Sequence, residues 1–373
     1  MTIKIDFVHK FKIDNQLVRN FFRENWKRKI ALPDKNFYEW QFVNAPENKS
    51  KDCCIIAFDT KKEKIFGALG INKRTFFLEN KPIKSAEFTT WVVSKDTKKL
   101  GLASNIGLKI LLFSKLKFDI LIGMGSTEEA LPLYMRSGFK FVKSIPRFVK
   151  VINLKKIEKF SKINKLGKRL LLQWDLKDSF KNKYSVIPVT DKQYQKKFNN
   201  FKKKNNLFSR DLKHKKWRFK KHPYYNYKEF LVKKNGTNKY SYISFRQEDS
   251  IKHFKMIHLI DLYGDEFTNE CALNYMVQYA KKNSYDVIDF YCTSSRIFKH
   301  LINNNWFSIN DDDCFQFPHL FQPVEMRNPP TTSLLYWSKK NLSDLANFSK
   351  LYVTKQDVDL DRPTMHTINQ INK

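Results

Sequence analysis

The chain has 373 residues, a 42% hydrophobic fraction and a 15% aromatic fraction, enough apolar material for two packed domains and too much for wholesale disorder. Its formal net charge of +33 favours anionic partners, but the lysines run along the whole sequence and are locally dense only at 155–169 and 196–204. No run approaches the roughly 20 apolar residues of a membrane span, and Met1–Phe7 lacks a signal segment, so the expected location is cytoplasmic. The five cysteines, Cys53, Cys54, Cys271, Cys292 and Cys314, form no CxxC pair and read as buried reduced thiols, with no metal site expected.

In chain order, Asn15–Lys29 carries Leu17, Val18, Phe21, Phe22 and Trp26 at helical spacing. Strands are predicted at Cys53–Phe58, Ile65–Ile71 and Ser85–Val93, with Glu79-Asn80-Lys81-Pro82 turning the chain between the last two. A Gly-containing turn leads into a helix over Ala103–Leu116. A strand at Ile120–Met124, a helix over Glu128–Ser137 and a strand at Phe139–Val142 follow. Leu154–Trp174 is basic and amphipathic, and is expected to be a linker helix docked on the body rather than lying on a membrane.

The second half echoes the first. Trp40-Gln-Phe42 with Pro46 returns as Trp217-Arg-Phe219 with Pro223, 177 residues on. Asp119-Ile-Leu-Ile and the helix that ends at Gly138-Phe139 find a counterpart in Asp286-Val-Ile-Asp-Phe and a helix ending near Asn305-Trp306. A tandem repeat of one fold is expected, with segments at 1–152, a linker at 153–185 and a second copy at 186–373.

The chemistry points to the turn after Val93. Lys98-Lys99-Leu100-Gly101-Leu102-Ala103-Ser104 joins a strand to a helix, which aims backbone N–H groups outward at the positive end of the helix dipole, a setting for a pyrophosphate. Gly101 removes a Cβ from that approach, and Ala103 and Ser104 are small. Read as Lys98-x-x-Gly101-x-Ala103, this resembles the acyl-CoA signature Q/R-x-x-G-x-G/A of the GNAT (GCN5-related N-acetyltransferase) superfamily, with lysine in place of Arg or Gln. Downstream, Tyr134-Met-Arg-Ser-Gly138-Phe139 resembles the GNAT segment in which a helical tyrosine precedes a Gly-Phe pair. The Asn common before that helix is replaced by Ser126-Thr127.

The resemblance implies a mixed α/β fold, each copy a mostly antiparallel twisted sheet flanked by helices. It implies acetyl-CoA or another acyl-CoA as co-substrate, and attack of an acceptor amine on the thioester. Tyr134 would protonate the departing thiolate, Glu87 is the candidate base, and the backbone of Trp91, Val92 and Val93 would bind the pantetheine arm. The second copy reads Leu259-Ile-Asp-Leu-Tyr-Gly-Asp-Glu266 at the equivalent turn, where carboxylates would repel a pyrophosphate. Asp261, Asp265 and Glu266 are left to shape the acceptor site or to be solvated. Asp357-Val-Asp359-Leu-Asp361 lacks the Gly and Glu of a calcium loop, and a tail folding back over the cleft is considered.

Three readings stand at this level. The first is an acyl-CoA-dependent N-acyltransferase acting on a primary amine such as a sugar amine of cell-surface polysaccharide. The second is an aminoacyl-tRNA-dependent transferase of the peptidoglycan-bridge type, for which the positive charge would serve tRNA. The third is a non-catalytic protein that binds CoA or nucleic acid. Oligomeric state is not legible.

Overall fold

The computed structural model describes residues 2–26, 29–99, 101–176, 183–249, 254–264, 266–309, 313–321, 324–326, 331–340, 342–357 and 360–372. The first half supplies strands β1 (Ile3–Phe7), β2 (Ile55–Asp59), β3 (Lys64–Lys73), β4 (Ser85–Val93), β5 (Ile120–Met124), β6 (Lys140–Val142) and β7 (Arg147–Val151). Helices α1 (Asn15–Asn25), α2 (Ala103–Lys117) and α3 (Leu131–Arg136) lie among them. The second half supplies β8 (Tyr184–Pro188), β9 (Tyr227–Lys234), β10 (Tyr240–Asp249), β11 (Lys255–Gly264), β12 (Val287–Tyr291), β13 (Phe307–Ser308) and β14 (Leu334–Ser338). Its helices are α4 (Asp191–Lys202), α5 (Glu266–Lys282), α6 (Ser295–Asn303) and, in the tail, α7 (Met365–Ile371).

Two seven-stranded sheets result, ordered β1-β2-β3-β4-β5-β14-β6 and β8-β9-β10-β11-β12-β7-β13. The orders match strand for strand, and in both the only parallel pair among the described residues is the fourth strand with the fifth. The sixth strand of each sheet comes from the other half of the chain. β7 pairs antiparallel with β12, and β14 with β5 and β6. Cuts at 152 and 186 therefore do not separate the two sheets. After β6 the chain crosses to the second sheet through Ser144-Ile145-Pro146, and the corresponding slot in the first is filled by β14.

Equivalent residues meet where the copies join. Asp34 and Asp211 cap short helical turns by accepting from the N–H groups of Phe37 and His214, and each turn runs on into a π-helical turn, Glu39–Val43 and Lys216–Lys220. These turns hold the repeated W-x-F motifs. Trp40 and Trp217 stack at 4.6 Å, and each indole N–H donates to the other's backbone carbonyl, at 3.1 and 2.8 Å. Such a pair is worth about 0.5–1.5 kcal/mol beyond its buried area. The reciprocal bonds mark a local two-fold relation between the copies.

The basic stretch after Leu154 is not one helix. It forms Leu154–Ile157 and Lys165–Leu176, separated by Lys162–Ile163, which pairs with Phe315–Gln316. Ile157 is buried and Phe160 packs on Phe254 at 4.9 Å, so apolar anchoring to the body breaks the helix. Gly167 lies under the Cys314 carbonyl, where a Cβ would come within 2.4 Å. No helix among the described residues is long and apolar enough to cross a membrane.

Candidate active site

The site begins at β4 and β5. Their parallel pairing runs from Ser85 opposite Ile120 to Phe88 opposite Gly123 and stops, although β4 continues to Val93. From Thr89 to Val93 only β3 pairs with β4, so the other edge of β4 borders an opening between parted strands. Thr90 is an extra residue in the β3–β4 register, a bulge with φ +45°. A β-branched residue in the left-handed region is strained, and such strain gathers at functional positions.

The opening leads to the start of α2. Gly107 lets that helix approach the sheet: a Cβ there would come within 2.7 Å of the Trp91 ring. The connection is tied down from within. Ser94 N–H donates to Phe66 O at 2.9 Å, Thr97 N–H to Ser94 Oγ at 3.1 Å, and Leu102 N–H to Thr97 O at 3.0 Å. Gly101 sits at φ +69°, and among the described residues no atom beyond its chain neighbours lies within 4 Å of the place a Cβ would take, so it is the residue this backbone needs and leaves room for a ligand. Gly101, Leu102 and Ser104 are exposed and Ala103 is half-buried. The N-cap position Leu102 offers no side-chain cap, which leaves the first-turn N–H groups of α2 to solvent or an anion. Lys99, exposed, ends the short helix Lys95–Lys99 that precedes this turn; Leu100 and the Lys98 side chain fall outside the described residues.

At the inner end of the opening stands an aromatic cluster. Tyr134 packs against Trp91 at 4.8 Å, Phe139 at 5.3 Å and Phe88 at 5.6 Å. Gly138, at φ +79°, turns the chain after α3 so that Phe139 N–H bonds back to Tyr134 O at 3.1 Å. This is the local reason for the Tyr134…Gly138-Phe139 spacing. Tyr134 is buried, which pushes its hydroxyl well above the ordinary phenol range and keeps it protonated. Trp91 Nε1 is also buried, and among the described residues it has no hydrogen-bond partner.

Glu87 lies elsewhere. Its side chain is buried and ion-paired to Arg74, whose Nη1 is also 3.1 Å from Asp357 Oδ1. Asp357 in turn lies 2.6 Å from Arg210 Nη2, and Arg210 Nε donates to Asp261 Oδ2 at 2.8 Å. Glu87 and Asp261 thus end one buried chain of charges that crosses between the copies. The sequence alone suggests Glu87 as a general base, but its carboxylate is committed to a guanidinium and has no open approach. Alternation along β4 gives no sign of Arg74.

The second copy has the same opening. The pairing of β11 with β12 ends at Leu259 opposite Phe290, and Ile260 is the extra residue of the β10–β11 bulge. Here the tail enters. Leu262 N–H donates to the Tyr352 hydroxyl at 3.0 Å, and that hydroxyl lies 2.7 Å from both Leu262 O and Asp261 Oδ1. On the other side, Thr293 N–H donates to Val353 O at 3.1 Å and Thr354 bridges Cys292. Residues 352–354 therefore fill the parted strands. The register partner of Leu262 in the first copy is Val92, opposite Ala68 as Leu262 is opposite Ile243.

The glycine turn has no counterpart of similar length in the second copy, since one residue separates Gly264 from Glu266, the first residue of α5. Asp261 is a buried strand residue rather than part of an acidic loop; Asp265 and the Glu266 side chain fall outside the described residues. In the tail, Asp361 lies 2.6 Å from Arg246 Nε, and Asp357 is held by Arg210, so two carboxylates of the calcium-loop-like segment serve as arginine partners; Asp359 is outside the described residues. Sequence reasoning misses Thr90, whose hydroxyl accepts from Arg362 Nη1 at 3.1 Å, and the roles of Phe88 and Tyr352. Only the Thr89-Thr90 pair in mid-strand hints at a bulge.

Solved structures resemble the chain in overall fold. The GCN5-related N-acetyltransferase from Anabaena variabilis ATCC 29413 matches with a TM-score of 0.56 at 11% identity, over 90% of this chain and 72% of that one. The GCN5-related N-acetyltransferase from Kribbella flavida matches at 0.50 and 10% identity, over 90% and 72%. A Saccharomyces cerevisiae N-myristoyltransferase with bound myristoyl-CoA and inhibitors matches at 0.50 and 12% identity, over 90% and 81%. No protein-family model matches the sequence, and no curated protein matches it. The chain shares the fold of these acyltransferase structures.

Proposed function

We propose that the protein is an acyl-CoA-dependent N-acyltransferase whose working site is the first copy alone. The observation that carries this reading is the opening between β4 and β5, which leads from an exposed glycine turn at a helix N-terminus to a buried tyrosine. The turn would take the CoA pyrophosphate on the N–H groups of Gly101 to Ser104, with Lys99 beside it. The half-buried edge of β4 at Trp91–Val93, unpaired on its β5 side, would hold the pantetheine arm, as its second-copy counterpart Leu262 holds Tyr352.

Bound there, the acyl thioester supplies an activated carbonyl for an acceptor amine. Tyr134, held protonated by burial, would give its proton to the departing sulfur, and the proton lost from the attacking nitrogen would restore the tyrosine hydroxyl. The acyl group is short in this reading. The Phe88 ring fills the space over Gly123 at the end of the strand pairing, where a Cβ on Gly123 would come within 2.4 Å, and Tyr134 and Phe139 close the same corner. That packing favours acetyl over a long chain. The acceptor is assigned as a primary amine, and a mass-spectrometric screen of amines, amino-sugar nucleotides included, would name it.

Calorimetric titration of the protein with acetyl-CoA is the direct test. Saturable binding is expected, weakened at least about 100-fold by Gly101→Glu, which puts a carboxylate against the phosphates on a backbone that disfavours a side chain. Unchanged affinity in that variant, or no binding by the native protein, rejects the reading.

A further inference from the structure

A basic surface lies mostly on the second half, away from the β4–β5 opening. Two concavities of about 560 and 590 Å³ share Arg296, near the start of α6. The first is lined by Lys203, Lys204 and Lys350, the second by Lys234, Lys299 and Phe267. Each concavity holds one carboxylate: Glu79 is paired with Lys350 at 2.9 Å, and Glu270 lies 3.7 Å from His300. Among the described residues no carboxylate comes within ion-pair range of Lys203, Lys204, Arg296 or Lys299. The cations come from separate elements, namely the turn after α4, the end of β9, α6 and the tail, so they form a belt rather than a pocket for one phosphate.

Phe267 departs from the lysine background. It is 67% exposed at the start of α5, and the Lys239 ammonium lies 4.6 Å from its ring centroid. A large aromatic held in water beside these cations offers one flat face for stacking next to a track for phosphates. We infer that this belt binds single-stranded nucleic acid, with phosphodiesters along Lys203, Lys204, Arg296 and Lys299 and a base on Phe267. A planar anionic bilayer would meet only the rims of two concavities, whereas a flexible strand can follow them.

The test is fluorescence anisotropy of a labelled oligouridylate against the intact protein, with phosphatidylserine vesicles as the comparison probe. Binding should weaken by about tenfold or more between 50 and 200 mM salt. The Arg296→Glu/Lys299→Glu double variant should lose at least about tenfold in affinity while acetyl-CoA affinity stays unchanged. Phe267→Ala should lose roughly fivefold or more with the salt slope preserved, because stacking is not a counterion effect. The inference is overturned by no oligonucleotide binding at low salt, by charge reversals or Phe267→Ala that bind like the native protein, or by binding to vesicles alone. None of these outcomes bears on the acyl-CoA site, which calorimetry reports separately.

Discussion

The two copies share a strand order, a bulge in the fourth strand and an opening beyond it, yet among the described residues only the second opening is shown filled by the tail. In the first, β4 ends beside an exposed glycine turn. In the second, the turn has shrunk to one residue and the chain's own residues 352–354 sit between the strands. The parted edge of a strand leaves N–H and C=O groups that must find partners. A substrate can supply them in one copy, and the tail supplies them in the other. If the first opening takes acyl-CoA as proposed, such a site can be lost without cost to the fold, provided something permanent takes the cofactor's place.

Their buried charges differ in the same sense. In the second copy the buried carboxylates of the core have cations beside them. Burial raises the Glu248 pKa, but Arg246 and His258 outweigh it and hold the carboxyl near about 2. In the first copy Asp52 is buried with no such cation among the described residues, and burial lifts it to about 6 despite the Tyr38 hydroxyl and Cys54 N–H bonded to it.

The largest expected effect tests the claim that the second copy is structural. Arg210→Met leaves Asp261 and Asp357 buried without their guanidinium, and should cost about 3–5 kcal/mol in stability. Urea melts should show the loss while the acetyl-CoA affinity of the folded fraction is unchanged. A variant as stable as the native protein would mean that the charge chain is not what joins the copies.

Next in size is Asp52. Its folded pKa lies above its unfolded one, so the stability it favours is fully present below about pH 4 and is lost as pH rises through 6. A shift of about two units corresponds to roughly 3 kcal/mol. Asp52→Asn should therefore match the native protein near pH 4 and exceed it by up to about 3 kcal/mol at pH 7. Parallel stability curves across that range would remove the contrast between the copies. Tyr134→Phe comes third. It should lower kcat roughly 10- to 100-fold with acetyl-CoA affinity retained, and an unchanged rate would take Tyr134 out of the chemistry.

Much of this is legible in the sequence, for identifiable reasons. Ser85–Val93 and Ile120–Met124 fall where apolar runs bounded by polar residues put them, because buried central strands need little else. The W-x-F pairs are visible because two indoles stacked on each other tolerate few substitutes. Gly101 and Gly138 are legible because each occupies positive φ. The exchange of β7 and β14 is not, since a five-residue apolar strand carries no address for the sheet it joins. Glu87 is misread for a related reason: its partner Arg74 lies just past the end of the neighbouring strand β3, and alternation reports which face a residue takes but not what it meets there.

Tyr352 makes the smallest and sharpest prediction. Its hydroxyl satisfies Leu262 N–H and touches Asp261 in a place water cannot reach. Tyr352→Phe keeps the ring, hence the packing between β11 and the tail, and strips only that partner. A buried N–H left unmet costs about 1–3 kcal/mol, and the low end applies because the backbone can shift toward another acceptor. The variant should lose that stability and bind acetyl-CoA as the native protein does. Gly101→Glu should do the reverse, changing affinity far more than stability. If Tyr352→Phe instead altered acetyl-CoA binding, the filled opening would be a working site and the division between the copies would fail.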